Sequence, residues 1–184
     1  MICEKYNLVK PIVEQCQYNI LVRHNMEVKY RRLFEQGKLG TTVWSPLASG
    51  VLTGKYNNGI PEGSRFDNNQ DLIFVLNQYF SPTTKEATIA ALNQFKELAK
   101  EMDCTMAQLA MAWVVSNPDV STALTGASRV EQLVNTIKSL ELLPKMTPEV
   151  QKKIEDMFKS EPTPRTDHKT FGPIPNRRRK ILEY

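Results

Sequence analysis

Short apolar segments alternate with longer amphipathic segments along this chain, and the alternation limits the folds that it can adopt. Residues 11–19, 40–45 and 120–125 have the length and apolar content of strands, with helical repeats between them. Strands that are separated by helices pair in parallel, because parallel neighbours need a helical crossover. The sequence therefore predicts an α/β fold built on a parallel sheet.

Capping residues indicate where the predicted helices begin. Three helices open with Ser or Thr followed three residues later by Glu or Gln: Thr83 with Glu86, Thr105 with Gln108, and Ser128 with Glu131. Another starts at Thr147-Pro148, because proline suits the first helical position. A shorter helix is predicted over 28–36, with Gly37 as its stop. Apolar residues recur at helical spacing at Ile89, Leu92, Phe95, Leu98, Met102, Leu133, Ile137, Leu140, Val150, Ile154 and Phe158.

The charge of this chain of 184 residues is unevenly placed. The formal net charge of +4 comes from residues 162–184, where six basic and two acidic residues stand, and the preceding residues are neutral in sum. A nucleic-acid-binding domain would carry a basic stripe on its folded face, so we expect no nucleic-acid partner. We expect one folded domain over 1–161 and a basic, proline-rich, disordered tail over 162–184. Contact of that tail with anionic lipid or an acidic partner is the alternative.

Other protein classes do not fit the sequence. The longest uninterrupted apolar run, 109–115, is far shorter than the roughly 18 residues of a membrane helix, and the first ten residues do not resemble a signal peptide. Cys3, Cys16 and Cys104 form no CxxC pair, which favours free thiols in the cytoplasm over a disulfide framework or a zinc site. The two histidines are far apart, so no metal site is expected.

The first segment that could carry chemistry runs from Trp44 to Ser49 at a predicted strand end. An aromatic ring there can stack on a planar ligand, and small residues let backbone N–H groups approach phosphate oxygens. Lys55 and Arg65, in the loop that follows, could clamp a phosphate-bearing ligand. From residue types alone, the alternative is a core tryptophan, an ordinary turn and two solvated charges.

Two further segments lie at predicted strand ends. Gly126-Ala127-Ser128-Arg129 stands where the last strand meets a helix, and a helix N-terminus favours an anion through its unpaired N–H groups and its dipole. Ser128 could instead only cap its own helix, but a cap does not need the cation of Arg129. The amides of residues 14–19 could hold a carboxamide or a sugar, although hydrogen bonding within the core is equally consistent with them.

The order and spacing of these segments resemble the aldo-keto reductase superfamily, and within it the branch of voltage-gated potassium channel β-subunits. The resemblance rests on EQCQYN at 14–19, WSPLASGVLTGKY at 44–56, GIPEGSRF at 59–66, AQLAMAWVVSNPDVSTALTGAS at 107–128 and EQL at 131–133. It implies a partial (β/α)8 TIM barrel, namely the C-terminal half of that family's fold with about strands 6–8 and their helices. A complete barrel has roughly 250 residues, more than this chain contains.

The resemblance also implies an NADP(H) site, carried over position by position. Gln15 would hold the nicotinamide carboxamide, and Trp44 would stack on the nicotinamide ring. Arg65 would lie against the adenosine end. The pyrophosphate and ribose would be wrapped by Ser45, Pro46, Leu47, Ala48, Ser49 and Lys55, and the 2′-phosphate would be received by Gly126, Ser128 and Gln132.

Some positions depart from the family's pattern. Asn135-Thr136 stands where the channel-subunit branch has Glu-Asn, and Gly63 stands where a side chain often covers the cofactor. The family's catalytic Asp, Tyr, Lys and His belong to its first four strands, which we expect to precede this chain. No catalytic residue is assigned, because no catalytic motif surrounds Tyr18, Tyr30, Tyr56 or Tyr79.

The resemblance therefore implies an NADP(H)-dependent oxidoreductase that transfers hydride between a carbonyl and an alcohol, represented by its cofactor-binding half and inactive alone. The alternative is a non-catalytic regulatory β-subunit of a voltage-gated potassium channel that senses NADP(H). Three or four strands without neighbours leave open sheet edges and an exposed apolar face. Self-association through those edges is also expected.

Overall fold

A small parallel sheet organises the part of the chain that the computed structural model describes, which is residues 2–36 and 39–163. Its strands are β1 (Val13–Glu14), β2 (Gly40–Val43) and β3 (Thr122–Ala123), in the order β1-β2-β3. Val13 lies opposite Gly40, and Thr42 lies opposite Thr122. Both pairings are parallel, so the arrangement predicted from the alternation of strands and helices is confirmed.

Each strand is shorter than its predicted segment. Beyond Glu14, the contact with the second strand continues only through an isolated bridge between Gln17 and Trp44. The second strand stops there because Ser45 has a φ of 56°, a left-handed conformation that an extended strand excludes. The third strand is extended by one bond, from the Leu124 N–H to the Val43 carbonyl (2.8 Å).

Helices of different lengths connect and cover the strands. The α-helices in the described ranges are α1 (Ile2–Lys5), α2 (Arg31–Glu35), α3 (Arg65–Asn68), α4 (Ile73–Asn77), α5 (Lys85–Glu101), α6 (Met106–Val115), α7 (Val130–Ile137) and α8 (Pro148–Phe158). Short 3₁₀ helices occur at Ala48–Thr53, Gln70–Leu72 and Lys138–Lys145. The 3₁₀ helix at Ala48–Thr53 consists of two turns separated by a kink at Ser49 and Gly50.

The single helix predicted over 28–36 is wrong, because this region contains two pieces. A π-helical turn, Asn25–Lys29, precedes α2, and Tyr30 separates them. The Tyr30 N–H bonds to the Asn25 carbonyl (3.0 Å), a wide turn that changes the helical register. The predicted stop at Gly37 lies outside the described residues, as does the predicted tail from residue 164 onward.

Two of the predicted helix starts are confirmed. At α6, Thr105 Oγ1 accepts a hydrogen bond from the Gln108 N–H (3.2 Å), and Gln108 Oε1 accepts one from the Thr105 N–H (2.8 Å). At α8, the Thr147 hydroxyl accepts from the Val150 N–H, with proline at the first helical position. These reciprocal or paired contacts satisfy N–H groups that a helix start leaves free.

The capping boxes predicted at Thr83 and Ser128 are wrong. The N-cap of α5 is Thr84, and the hydroxyls of both Thr83 and Thr84 hydrogen bond with the Ser81 hydroxyl (3.1 and 2.8 Å) instead of the helix backbone. The N-cap of α7 is Arg129, because the Ser128 hydroxyl donates to Gln132 Oε1 (3.2 Å). In both cases a neighbouring side chain competes with the backbone for the hydroxyl.

One cluster of buried apolar side chains joins the sheet to α5, α6 and α8. The predicted apolar face of α5 is confirmed at its centre, where Leu92, Phe95 and Leu98 are buried. In α8, Ile154 is fully buried, and the Phe158 ring packs edge-on against Phe95 at 5.4 Å between centroids. None of the helices in the described ranges is long and apolar enough to cross a membrane.

The apolar face predicted for the helix after Ser128 is not buried. Leu133 on α7 is 45% exposed, Ile137 is 57% exposed, and Leu140 beyond its end is 54% exposed. Next to the outer strand β1, Val9 and Ile12 are 96% and 78% exposed. The segment before β1 and the helix α7 therefore both present apolar surface.

Candidate functional site

Two of the predicted site residues, Gln15 and Trp44, lie at one edge of the sheet, which we call the carboxyl edge. It is formed by the residues that directly follow the three strands, beginning with Gln15, Trp44 and Leu124. Because the strands are parallel, their C-terminal ends lie side by side, as at the active face of βα folds. The Trp44 N–H bonds to the Cys16 carbonyl (3.0 Å), and the Tyr18 N–H bonds to the Trp44 carbonyl (3.3 Å). These bonds fix the first two strand ends against each other.

Trp44 is 45% exposed at this edge. The sequence left open whether this tryptophan lies in the core, and the structure places it at the surface instead. Its backbone is held by the bridge to Gln17, so the exposed ring is carried on a fixed base. Trp44 therefore offers an aromatic face to a planar ligand.

The cofactor loop, which we define as residues 45–49, has an unusual backbone. Three of its non-glycine residues adopt left-handed conformations, with φ of 56° at Ser45, 48° at Ala48 and 56° at Ser49. Each such residue costs on the order of 1 kcal/mol, and clusters of them occur at ligand-binding sites. Ala48 is nevertheless fully buried, so packing holds the strained loop in place.

Hydrogen bonds from two directions hold the cofactor loop at Ser45. The Asn19 side-chain amide donates to the Ser45 carbonyl (2.9 Å), and the Ala48 N–H donates to the same oxygen (3.0 Å). The Ser45 hydroxyl accepts from the Ser49 N–H (3.2 Å). The loop is therefore folded on itself and tied to the end of the first strand segment.

Lys55 lies against the backbone that follows the cofactor loop. Gly50 has a φ of 95°, and a Cβ built there would stand 2.7 Å from the Lys55 Cε. The Lys55 ammonium lies 4.8 Å from the centre of the Tyr56 ring. The absence of a side chain at Gly50 thus leaves the space that the lysine occupies, and the ammonium stays next to the loop.

Arg65 is exposed on α3 and is linked to this region through its neighbour. Phe66 is fully buried, and its ring lies 5.1 Å from that of Tyr56. Because Tyr56 follows Lys55 and Phe66 follows Arg65, this ring contact holds the backbone at Lys55 and the backbone at Arg65 near each other. Gly63, within that stretch, has open space around it.

The start of α7 is more exposed and is held locally. Gln132 Oε1 accepts from both the Ser128 N–H (3.0 Å) and the Ser128 hydroxyl (3.2 Å). Ser128 and Gln132, both predicted to receive the 2′-phosphate, are thus hydrogen-bonded to each other. A phosphate would have to replace the Gln132 oxygen at these two donors. Glu131 stands in the first turn of the helix, where an acidic group opposes an anion.

The amides after β1 have separate roles. Gln15 is exposed at the carboxyl edge, whereas the Gln17 amide donates to the Tyr79 hydroxyl (2.8 Å). Asn19 is fully buried. The sequence left open whether these amides bind a ligand or form hydrogen bonds within the core. Gln15 is available to a ligand, whereas Gln17 and Asn19 form hydrogen bonds within the protein.

Burial keeps the titratable groups near this edge protonated. Burial raises the pKa of the Cys16 thiol, and the nearby Glu14 carboxylate adds to the increase. Burial also raises the pKa of the Tyr79 phenol, although hydrogen bonds with Gln17, Asn19 and Ser45 act in the opposite direction. Neither group is a thiolate or phenolate at neutral pH. Among residues 2–36 and 39–163, no cluster of His, Cys, Asp and Glu could hold a metal ion.

Comparison with known sequences identifies the family. Residues 1–158 match the profile of the Aldo/keto reductase family. The chain belongs to this family. Aldo/keto reductases have a (β/α)8 barrel, and the parallel sheet with its covering helices is consistent with part of one.

Three relatives within the aldo/keto reductases share a similar name. The chain is 42% identical over 161 residues to a putative voltage-gated potassium channel subunit beta of Schizosaccharomyces pombe, covering 88% of this chain and 46% of that protein. It is 43% identical over 164 residues to a probable subunit of that type from Oryza sativa, covering 88% and 48%. The corresponding Arabidopsis thaliana protein is 41% identical over 162 residues, covering 86% and 47%. The chain spans about half the length of these relatives.

Sequence reasoning did not single out Tyr79 as a neighbour of the carboxyl edge, and it gave no contacts for Asn135 and Thr136. Tyr79 lies far from the strand ends in sequence, and its approach to Gln17 has no sequence signal. Asn135, one of the departures from the family's pattern, donates to Thr105 Oγ1 (3.2 Å), and Thr136 donates to the Gln132 carbonyl (2.9 Å). These two residues thus support α7 and its contact with α6.

Proposed function

We propose that this chain is an NADP(H)-dependent aldo/keto reductase-type oxidoreductase, in which the carboxyl edge holds the cofactor for hydride transfer between a carbonyl and an alcohol. The observation that carries the proposal is the exposed Trp44 ring beside a strained, tethered cofactor loop. An exposed aromatic at a strand end and a preformed loop of small residues suit a nicotinamide and its pyrophosphate.

The residues present fit this cofactor. Trp44 offers its indole face to the nicotinamide, and Gln15 is free to hold the carboxamide. Gly50 leaves room for Lys55, whose ammonium would meet the pyrophosphate held by Ser45, Pro46, Leu47, Ala48 and Ser49. Arg65 would face the adenosine end, and the 2′-phosphate would meet Gly126, Ser128 and Gln132. The bound cofactor supplies or accepts hydride, while these residues bind it and orient it.

Proton donation to the substrate is not assigned to the described tyrosines. Tyr18, Tyr56 and Tyr79 are buried, and burial raises the pKa of the Tyr18 and Tyr79 phenols. The Tyr30 hydroxyl is bonded to Glu14 (3.1 Å). A general acid must reach the substrate oxygen, so we expect the 184-residue chain alone to reduce no carbonyl compound. Steady turnover of NADPH with an aldehyde would overturn this part of the proposal.

Cofactor binding is tested by titrating the full chain with NADPH and following its fluorescence. We expect saturable binding, weakened about tenfold by Lys55→Ala, because one charge-assisted contact is lost. Lys145→Ala is a matched control, since this exposed lysine lies outside the carboxyl edge. A chain that shows no fluorescence change at millimolar NADPH would contradict the proposal.

A second candidate function is regulation of a voltage-gated potassium channel by NADP(H) binding. It is favoured by the names of the three relatives, each described as a β-subunit of such a channel. Coprecipitation of the full chain with a voltage-gated potassium channel, with and without NADPH, tests it. Coprecipitation that changes with NADPH would support the regulatory function, and no coprecipitation in either condition would contradict it. Cys3, Cys16 and Cys104 are free, which fits the cytoplasm as the proposed location.

We also propose that the chain self-associates through exposed barrel edges, at the segment before β1 and at α7. The support is the exposed apolar surface at Val9 and Ile12 on one side and at Ile137 and Leu140 on the other. Light scattering after size exclusion should give a mass above the 21.0 kDa of one chain. Ile137→Glu should shift the wild-type mass toward the monomer, and a wild-type monomer would contradict the proposal.

A further inference from the structure

Asn19 is a fully buried polar side chain that connects the first strand segment to the cofactor loop. Its Oδ1 accepts hydrogen bonds from the N–H groups of Leu21 and Val22, both at 2.9 Å. Its Nδ2 donates to the Ser45 carbonyl at 2.9 Å, across 26 positions of sequence. The Asn19 oxygen therefore stabilises a local turn, and the Asn19 nitrogen binds the cofactor loop.

Ser45 is the residue at which the chain leaves the second strand. Its φ of 56° is unfavourable for a residue with a side chain, so the surrounding contacts have to maintain it. The Ser45 carbonyl accepts from both Asn19 and the Ala48 N–H, which fixes the orientation of the peptide. Of these two contacts, only the one from Asn19 comes from outside the loop.

Tyr79 closes the same region from a third direction. The Gln17 amide donates to its hydroxyl at 2.8 Å, and the side chains of Asn19 and Ser45 also interact with this phenol. Tyr79 is buried, so the group around Asn19 is screened from water. Hydrogen bonds in such a screened group are costly to break, because water does not replace the lost partner.

We propose that Asn19 is a positioning residue, which holds Ser45 in its left-handed conformation and so preforms the cofactor loop next to Trp44. The inference rests on the proposed function for its effect on NADPH affinity. Its effect on the unliganded loop is independent of that function. A loop that is fixed before binding loses less conformational freedom when the ligand arrives, so removing the tether weakens binding.

The test separates the hydrogen bonds that the Asn19 oxygen accepts from the one that the Asn19 nitrogen donates. Asn19→Asp keeps the acceptor oxygens for Leu21 and Val22 and removes the donor to Ser45. Asn19→Ser is the uncharged second variant, because its hydroxyl can support the turn but is too short to replace the long-range donor. Both variants are made in a Trp113→Phe background, so that Trp44 is the sole tryptophan. Circular dichroism first establishes which variants are folded.

Two readouts are then measured for each folded variant. We expect the NADPH dissociation constant to rise about tenfold, and quenching of Trp44 by acrylamide without ligand to rise by about half. Asn117→Asp is the matched control: Asn117 donates to the Tyr18 hydroxyl (2.9 Å) and accepts from the Asp119 N–H (2.9 Å), but lies between α6 and β3. Unchanged values in this control are expected.

Rescue by glycine distinguishes positioning from general structural support. Glycine adopts positive φ without steric cost, so in a Ser45→Gly background the Asn19 variants should weaken NADPH binding by less than about threefold relative to Ser45→Gly alone. In a Ser45→Ala background, which lacks the same hydroxyl but keeps the backbone strain, the Asn19 variants should still weaken binding about tenfold. A tenfold loss in the Ser45→Gly background as well would reduce Asn19 to a structural residue and overturn the proposal.

The remaining outcomes are also decisive. Folded Asn19 variants with wild-type affinity and wild-type acrylamide quenching would overturn the positioning role. If the parent chain binds no NADPH but the variants still increase Trp44 quenching, the proposed function fails and the positioning of the loop is supported. If neither Asn19 variant folds, Ser45→Gly in the same chain must restore folding, or the proposal fails.

Discussion

The cofactor loop and the start of α7 are the two ends of the proposed NADP(H) site, and they are held in different ways. Long-range contacts and burial fix the loop, as shown by Asn19 on Ser45 and by the fully buried Leu52 that follows. The start of α7 is exposed, and Ser128 contacts a residue only four positions away. We infer that the loop is formed before the ligand binds, whereas a phosphate at the α7 start has to displace the contact between Ser128 and Gln132.

The largest expected difference between the two regions is in stability. Leu52→Ala removes a fully buried side chain and should lower the free energy of unfolding by about 2–5 kcal/mol. Leu133→Ala, the same change at a 45% exposed position on α7, should lower it by less than about 1 kcal/mol. Urea denaturation followed by circular dichroism measures both. Equal losses would mean that the two regions are packed alike.

Gly50→Ala tests how the loop region places its cation. The added Cβ would stand 2.7 Å from the Lys55 Cε, so the ammonium should be displaced and NADPH affinity should fall about tenfold. Gly59→Ala is the matched control, because Gly59 also has positive φ, at 113°, but has no neighbour within 4 Å. Both variants carry the backbone strain, so only the first should weaken binding. Equal affinities in the titration would argue against a role for Lys55.

Ser128→Ala tests the weaker end of the site. We expect NADPH affinity to fall only about threefold, because the Ser128 hydroxyl already donates to Gln132 and gains little by exchanging this partner. NADH affinity should not change, since NADH lacks the 2′-phosphate. Parallel titrations with the two cofactors give the comparison. A similar loss for NADH would place Ser128 outside the phosphate site.

The smallest effect concerns two thiols, that of Cys16 next to the cofactor loop and that of Cys104 between α5 and α6. Burial raises the pKa of both Cys16 at the carboxyl edge and Cys104 before α6, and Cys16 is the more buried. The thiolate is the reactive form, so both should react slowly at pH 8 and faster as the pH rises toward the raised pKa values. Cys104 should react about threefold faster than Cys16. Mass spectrometry after timed alkylation measures this, and faster labelling of Cys16 would indicate an open strand end.

The sequence allowed the general fold to be predicted better than its details. Parallel pairing, the apolar face of α5 and the caps at Thr105 and Thr147 follow from local patterns, and the structure confirms them. The predicted caps at Thr83 and Ser128 fail because nearby side chains compete for the same hydroxyls. Such competition depends on side-chain positions in space that spacing in the sequence does not specify.

The site shows the same limit. Trp44, Lys55 and Ser128 could be selected from the sequence because they stand at or near predicted strand ends. The left-handed backbone at Ser45 could not be predicted, since nothing in a serine favours it. Its tether to Asn19 and the approach of Tyr79 depend on tertiary contacts between distant segments.

The most direct test of the central claim is energy transfer from Trp44 to NADPH. Tryptophan emission overlaps the absorption of the reduced nicotinamide, so the Trp113→Phe chain, which retains only Trp44, should lose more than half of its emission at saturating NADPH. The matched Trp44→Phe chain, which retains only buried Trp113, should lose clearly less. Equal quenching of the two chains, or none at millimolar NADPH, would contradict a nicotinamide site at the carboxyl edge.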